Sequence, residues 1–498
     1  MDLKVSVNKS VFSKETVMKD YYMVFLSRQL SVLGRKEVHL GRAPFGIFGD
    51  GKELAQIAYV KSYRDGDWRS GYYRDQTFML AAGMMTPTEF FSQLYGDTNT
   101  VNNPSTGGRN FNNHHSTANR SASGGLKELA LMKNSAADLS PTAWQIPRLL
   151  GLAQASKLVR DHPEFAPHTA GKITGDEVAF GSIGESSTSE GMFFETINAA
   201  CVLQVPLAVA IWDNGYGISV PVDLQTAKGS ISKALKGFET DGEDLGCRIY
   251  SCKGWDYPCM VQTFEEGIAV CRSRHQPVIF HIDELTQPLG HSTSGSHERY
   301  KSAERLQWEQ DFDAIVKFKE WILLEGYGNA DTLAQLEEEA SKEARGARDL
   351  AWTDYISGFE AESTSLKAVV DSISNSYAPL STKSAELKAL RKAAYPTRKA
   401  LIRFAKSLHR TVVGNSLLKE QDQQLAFWIK TSEEIGERLF SIPRSEESAK
   451  FPAGDIVKIE YGHDPAWVTG SELLNKNFDL LLQKYPLMLS FGEDTGVL

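Results

Sequence analysis

Apolar runs that alternate with helical patterns in the middle of the chain constrain the fold more than any other feature. Val178-Ala179-Phe180 reads as a strand. Glu190–Val202 reads as a helix, with Phe193, Ile197 and Ala200 on one face at helical spacing. Pro206–Ile211 is continuously apolar, as expected of a strand covered on both faces. Pro258 to His275 suits a helix opened by proline, and Pro277–Ile282 a further strand. Strand–helix–strand–helix–strand order predicts a parallel sheet with right-handed crossovers.

The 498 residues are too many for one core; at roughly 150 residues per domain, about three are expected. A hydrophobic content of 41% and a charged content of 23% suit globular domains. The net charge of −9 argues against a general nucleic-acid binder, which needs a basic surface. No run approaches the ~20 apolar residues that cross a bilayer, so no membrane association is expected. Met1–Asp20 lacks a secretory apolar core or an Arg-rich transit pattern, so a cytoplasmic location is expected. The five cysteines, Cys201, Cys247, Cys252, Cys259 and Cys271, form neither a disulfide framework nor paired metal half-sites.

The pattern changes near residue 331. Leu333–Arg345 is charge-dense, and helical periodicity continues to about 440. The expected division is residues 1–330 as an α/β unit, 331–475 as a mainly helical connecting region, and 476–498 as the start of another α/β domain. The basic stretch Lys383–Arg410 reads as a solvated helix face with Leu401, Phe404 and Leu408 inward; contact with an acidic partner is the alternative. Leu487–Phe491 reads as a fresh strand followed by Gly492-Glu493-Asp494, as if a further domain began there or came from another chain.

The chemistry gathers at the ends of the first two strands. Glu185 lies just past one and Asn214 just past the next, on the edge where open parallel sheets bind ligands. A carboxylate beside an amide oxygen suits Mg²⁺ or Ca²⁺, and the turn Gly215-Tyr216-Gly217 offers the Tyr216 carbonyl as a third donor. The small residues Gly184–Ser189 leave room for phosphate at the next helix start. Mg²⁺ pairs naturally with a diphosphate. Singly, each piece also reads as an ordinary loop or turn.

Gly184-Glu185-Ser186, then residues 187–212, then Asp213-Asn214 resembles the thiamine diphosphate fingerprint. The wording around it is similar to the α part of the decarboxylating component of 2-oxoacid dehydrogenase complexes, closest to the branched-chain type and to bacterial fused α/β forms. The resemblance runs from about Asp20 to about Arg299. It implies a three-layer αβα fold that binds thiamine diphosphate on a parallel sheet, then a helical region and the start of a second α/β domain. It further implies metal binding by Glu185, Asn214 and the Tyr216 carbonyl, and cofactor contacts from Gly184 and Ser186. Ile218 would prop the cofactor in its bent shape, and Tyr73 and Arg74 of Tyr73-Arg74-Asp75 would hold the diphosphate. Gly107-Gly108-Arg109…His114 matches a Gly-rich loop ending in an active-site histidine. Ser140…Gln145-Ile146-Pro147 resembles the segment that meets the aminopyrimidine. Gly290-His291-Ser292-Thr293-Ser294 resembles the loop whose histidine faces substrate and lipoyl group. Phe491-Gly492-Glu493-Asp494 resembles the start of the β part, where Glu493 would activate the cofactor. Five positions depart from the family pattern: Ser186 stands for Gly, Glu185 for the commoner Asp, Trp212 for an Arg, Thr142 for an apolar residue, and Ser292 where the loop often has a second histidine beside His291.

Decarboxylating a 2-oxoacid needs an electron sink, which thiamine diphosphate supplies while the protein orients it. The expected reaction is oxidative decarboxylation of a branched-chain 2-oxoacid such as 3-methyl-2-oxobutanoate, with acyl transfer to a lipoyl group. Pyruvate as substrate, or a cofactor-binding subunit without catalysis of its own, are the alternatives. Expected partners are a β-type subunit or β part, the lipoyl domain of the acyltransferase core, and further copies in an oligomer. His114 and His291 are the candidates for binding the substrate carboxylate and moving protons.

Overall fold

The protein is described by a computed structural model covering residues 12–441, 467–490 and 492, apart from 122–124, 170–171, 242–243 and 394. Its strands, in chain order, are β1 (Trp68–Ser70), β2 (Asn134–Ser135), β3 (Ala179–Gly184), β4 (Leu207–Trp212), β5 (Tyr216–Gly217), β6 (Val220–Pro221), β7 (Arg248–Lys253) and β8 (Val278–Asp283). A six-stranded sheet has the order β2-β1-β3-β4-β8-β7, and every ladder in it is parallel. β5 and β6 form a separate antiparallel ribbon.

The period-2 alternation of the central strands generates the layers. From β3, β4 and β8, Phe180, Ala208, Ala210, Trp212, Val278, Phe280 and Ile282 face one apolar core. Ala179, Ile183, Leu207, Val209, Ile211 and Ile279 face the other. Helices Lys14–His39, Glu53–Val60 and Tyr257–Arg274 cover the first face, and Gln145–Asp161 and Gly191–Leu203 the second. This is the three-layer α/β arrangement expected from the sequence. The helix expected at Glu190–Val202 occupies Gly191–Leu203 and buries Phe193, Ile197 and Ala200. The helix opened by Pro258 runs Tyr257–Arg274.

The packing carries the first core beyond residue 330. Helix Ala330–Ser357 buries Leu333, Ala340, Ala344, Ala347 and Ala351 against it. A separate apolar core joins helices Glu360–Ser376, Arg398–Val412 and Lys419–Ser441 through Leu366, Val370, Leu401, Leu408 and Leu425. In the basic stretch Leu401 and Leu408 are buried and Phe404 packs against that core, while Arg398 pairs with Glu362 and Lys406 with Glu433. A helix, Gly470–Lys484, precedes the C-terminal residues. The strand expected from Leu487 is absent among the described residues, because 487–490 has no neighbouring strand to complete a ladder. Of the cysteines, Cys252 at the end of β7 is bridged to Cys259 in the next helix. This is a local link of the kind the composition argument did not foresee. Among the described residues, no helix is long and apolar enough to cross a membrane.

Candidate active site

From β1 the chain crosses to β2 on one side, and from β3 to β4 on the other. The sheet therefore reverses its winding between β1 and β3, and ligands bind at such a crevice, beyond the strand C-termini. A cavity of about 340 Å³ opens there, walled by Tyr72, Tyr73 and Arg74 after β1, by Gly184, Glu185 and Ser186 after β3, and by Trp212, Asn214, Tyr216 and Ile218 after β4. Lys52, Thr142 and His291 also reach it. The ladder pairs Gly184 with Trp212, which sets the segments bearing Glu185 and Asn214 side by side.

Glu185 is buried, and its Oε1 accepts from the Thr226 hydroxyl while Oε2 has no hydrogen-bond partner among the described residues. Burial pushes its carboxyl above the usual range, and Asp213 opposite adds to the shift. Asn214 Oδ1 accepts from the Tyr216 N–H at 3.3 Å, and its backbone carbonyl accepts from Arg305 at 2.9 Å. Ser186 and Gln225 bond each other reciprocally, at 2.9 and 2.7 Å. Ile218 is 58% exposed at φ +59°. That left-handed backbone is a genuine outlier for a β-branched residue.

Two buried basic side chains line the same cavity. Arg74 donates to the Phe48 carbonyl at 2.7 Å and lies over the Tyr73 ring. Lys52 donates to the Thr286 carbonyl at 2.8 Å and to Gln287 Oε1. Among the described residues neither forms an ion pair with a carboxylate. Burial and the Arg74 charge push the Lys52 ammonium well below its ordinary value. A carboxylate oxygen with no hydrogen-bond partner among the described residues, in one cavity with a buried guanidinium and a buried lysine that form no ion pair there, suits a metal cation at one end and a bound anion at the other.

The remaining expected residues occupy two groups. His114 donates from Nδ1 to the Asn112 carbonyl at 3.1 Å, which leaves Nε2 to accept from the Ser140 hydroxyl at 3.0 Å. His114 also stacks on Tyr73, with ring centroids 6.3 Å apart. His291 meets Arg74. Gln145 instead turns into the sheet, where its amide donates to the Ser182 carbonyl at 3.0 Å, so it braces β3 and is not on the cavity wall. Glu493 lies outside the described residues.

Several supporting residues were not singled out from the sequence. Asp75 accepts from Arg69 at 2.7 Å and from Ser182 and Trp212, tying the loop after β1 to β3 and β4. Asp213 accepts from the Gly215 N–H at 2.7 Å and from His281 Nε2 at 2.9 Å, which shapes the turn carrying Asn214. Lys52, in the turn Gly49-Asp50-Gly51, is the one whose signal was present: a lysine in a Gly-rich turn that opens a helix.

A parallel three-layer α/β protein with a charged crevice at its winding switch is the class that fold and site define. A model of the family described as "Dehydrogenase E1 component" matches residues 21–354, and the chain belongs to that family of 2-oxoacid-decarboxylating, thiamine diphosphate-using proteins. It is 25% identical over 316 residues to a 2-oxoisovalerate dehydrogenase subunit alpha of Bacillus subtilis, covering 62% of this chain and 84% of that protein. To the mitochondrial 2-oxoisovalerate dehydrogenase subunit alpha of Mus musculus it is 24% identical over 341 residues, 68% of each chain. A pyruvate dehydrogenase E1 component subunit alpha of Acholeplasma laidlawii is 26% identical over 338 residues, 66% of this chain and 82% of that protein.

Proposed function

We propose that this chain carries the metal and diphosphate half of a cytoplasmic, thiamine diphosphate-dependent dehydrogenase for a branched-chain 2-oxoacid of the 3-methyl-2-oxobutanoate type. It works with a β-type partner and passes the acyl group to a lipoyl domain. The observation that carries this is the buried, unpartnered Oε2 of Glu185, in one cavity with Asn214, Arg74 and Lys52.

Glu185, Asn214 and the Tyr216 carbonyl would hold Mg²⁺, whose preference for oxygen donors this set meets. Arg74 would hold the diphosphate, with Tyr73 beside it. Bound there, thiamine diphosphate supplies the electron sink for loss of CO₂ from the 2-oxoacid. The chain's own residues orient and solvate. Arg74 fixes His291 with Nδ1 accepting, which leaves its Nε2–H for substrate, while the Asn112 carbonyl and the Ser140 hydroxyl fix His114 in the other tautomer beside Tyr73. Ile218 supplies a stiff apolar edge beside the metal turn. The relatives named for 2-oxoisovalerate favour the branched-chain substrate, and the one named for pyruvate supports pyruvate as the second reading.

Calorimetric titration with thiamine diphosphate and Mg²⁺ tests this. Glu185→Ala and Asn214→Ala are each expected to abolish the Mg²⁺-dependent part of binding; wild-type affinity in both would overturn the assignment. Turnover of the chain mixed with a β-type partner, comparing 3-methyl-2-oxobutanoate with pyruvate, decides the substrate. Binding with no turnover of either would leave a non-catalytic subunit.

A further inference from the structure

Helices Glu360–Ser376 to Lys419–Ser441 lie beyond the stretch that matches the family, yet they touch the site at one loop. Residues 97–113, which lead to His114, hang from the end of helix Pro87–Tyr95. Gln93 donates to the His114 carbonyl and accepts from the Asn113 N–H. Gly108 lies so close to that helix end that an added Cβ would sit 2.6 Å from the Gly96 carbonyl oxygen. The loop thus hangs on that helix terminus and, through Asn112 and Asn113, on Ile47 and Gln76, so the hold on the terminus bears on its geometry.

Two contacts from the helical bundle hold it. The last carbonyls of a helix lack intrahelical donors. Tyr395 supplies one here: its hydroxyl donates to the Tyr95 carbonyl at 2.7 Å. Its ring stacks on Tyr355 at 5.5 Å and 4°, and the Tyr355 hydroxyl donates to the Pro396 carbonyl at 2.9 Å. At the loop's far side, Arg109 donates from Nη1 to the Gly107 carbonyl at 2.9 Å and from Nη2 to the Leu439 carbonyl, in the bundle's last helix.

We propose that the helical bundle is a positioning module for the 97–113 loop, acting through Tyr395 on the Tyr95 carbonyl and through the Leu439 carbonyl on Arg109, and so setting the placement of His114. The role of His114 toward substrate rests on the function proposed above; the coupling of bundle to loop does not.

The test is hydrogen exchange on the full chain, followed by mass spectrometry. Tyr395→Phe keeps the stack and removes only the hydroxyl. It is expected to speed exchange within 97–113 on the order of fivefold, the loss set by one hydrogen bond. Exchange in Gln145–Asp161 stays unchanged. Arg109→Ala is expected to do the same, and Arg109→Lys, which keeps a donor, to return the loop toward wild type. With a β-type partner present, KM for the 2-oxoacid rises more than kcat falls in Tyr395→Phe. Unchanged loop exchange in both Tyr395→Phe and Arg109→Ala, or a uniform rise across the whole chain, would overturn the proposal. Either result would leave the function standing if Glu185→Ala still abolishes metal-dependent cofactor binding. Normal cofactor binding by Glu185→Ala alongside a selectively loosened loop would sink the function and spare the coupling.

Discussion

Arg74 Nη2 lies 2.9 Å from His291 Nδ1 and 3.1 Å from the His291 carbonyl oxygen. A guanidinium only donates, so Nδ1 is the bare acceptor and the proton of the neutral ring sits on Nε2. Burial, then the Arg74 and Lys52 charges, lower the His291 pKa to about 3. A neutral ring with its Nε2–H turned away from Arg74 suits a donor to a substrate carboxylate.

A pH dependence follows from that shift. The unfolded chain protonates His291 near its ordinary value of 6.5, and the folded chain only near 3. Between those values the unfolded state holds the extra proton, so this group's contribution is fully present above pH 6.5 and is lost as pH falls toward 3. In Arg74→Met one of the two positive neighbours is gone while burial remains. The His291 pKa is expected to rise but stay below 6.5, as read by an NMR titration of the ring. A wild-type ring that titrates near 6.5 would contradict the buried, Arg-bonded geometry.

Glu185 sets function against stability. With no cation, its unpartnered Oε2 is a desolvated charge, and its raised pKa means that the folded state holds the proton longer than the unfolded one. The metal-free protein therefore loses stability as pH rises from the ordinary carboxyl value through the folded one. Glu185→Gln removes the charge and keeps the shape. In metal-free buffer at neutral pH it is expected to stabilise the chain by roughly 1 kcal/mol. It is also expected to abolish the further stabilisation that Mg²⁺ and thiamine diphosphate are expected to give the wild type. Thermal melts with and without those ligands check both halves; a Glu185→Gln variant less stable than wild type when metal-free would refute the account.

How much of this was legible follows from where each residue lies. β3, β4 and β8 are buried on both faces, so their apolar runs stand out in the sequence. β1 and β2 span only Trp68–Ser70 and Asn134–Ser135, too short to show a period, and β7 is an edge strand of mixed polarity. Glu185 and Asn214 were readable because strand ends fix their spacing. The roles of Asp75 and His281 were not, because Ser182 and Trp212, which Asp75 ties to its loop, and Asp213, which His281 holds, lie far along the chain. Helix Ala330–Ser357 docks mainly through alanines between charged residues, which carry little apolar signal, so its packing on the first core was not legible in the sequence.

Ile218 tests whether strain is stored at the turn after β4. At φ +59° an isoleucine is held in a conformation that costs on the order of 1 kcal/mol or more. With its side chain 58% exposed, little burial offsets that cost. Ile218→Gly is expected to stabilise the ligand-free chain or leave its melting temperature unchanged, against the usual penalty for introducing glycine. If the side chain is the prop for the cofactor, the same variant retains diphosphate-driven binding and loses turnover, a fall in kcat with little change in cofactor Kd. A variant that melts well below wild type would show that the backbone there is not strained.

Arg69 anchors the crevice from below. It donates to Asp75 at 2.7 and 2.9 Å and to Asp138 at 3.0 and 3.1 Å, all three side chains being buried. Asp75 shapes the Tyr72–Arg74 turn, and Asp138 accepts from the His115 N–H at 2.9 Å beside His114. One guanidinium thus registers both halves of the site. Arg69→Met strands two buried carboxylates and is expected to cost 3–5 kcal/mol, roughly the penalty for breaking a buried pair. Adding Asp75→Asn and Asp138→Asn removes those charges, and the triple variant is expected to regain a large part of that stability. Because the Tyr72 N–H and the His115 N–H lose their charged acceptors, cofactor affinity stays impaired even where the fold recovers. Denaturant melts read against calorimetric binding of thiamine diphosphate separate the two effects. A triple variant as unstable as Arg69→Met would show that the cost comes from lost packing and not from the stranded charges.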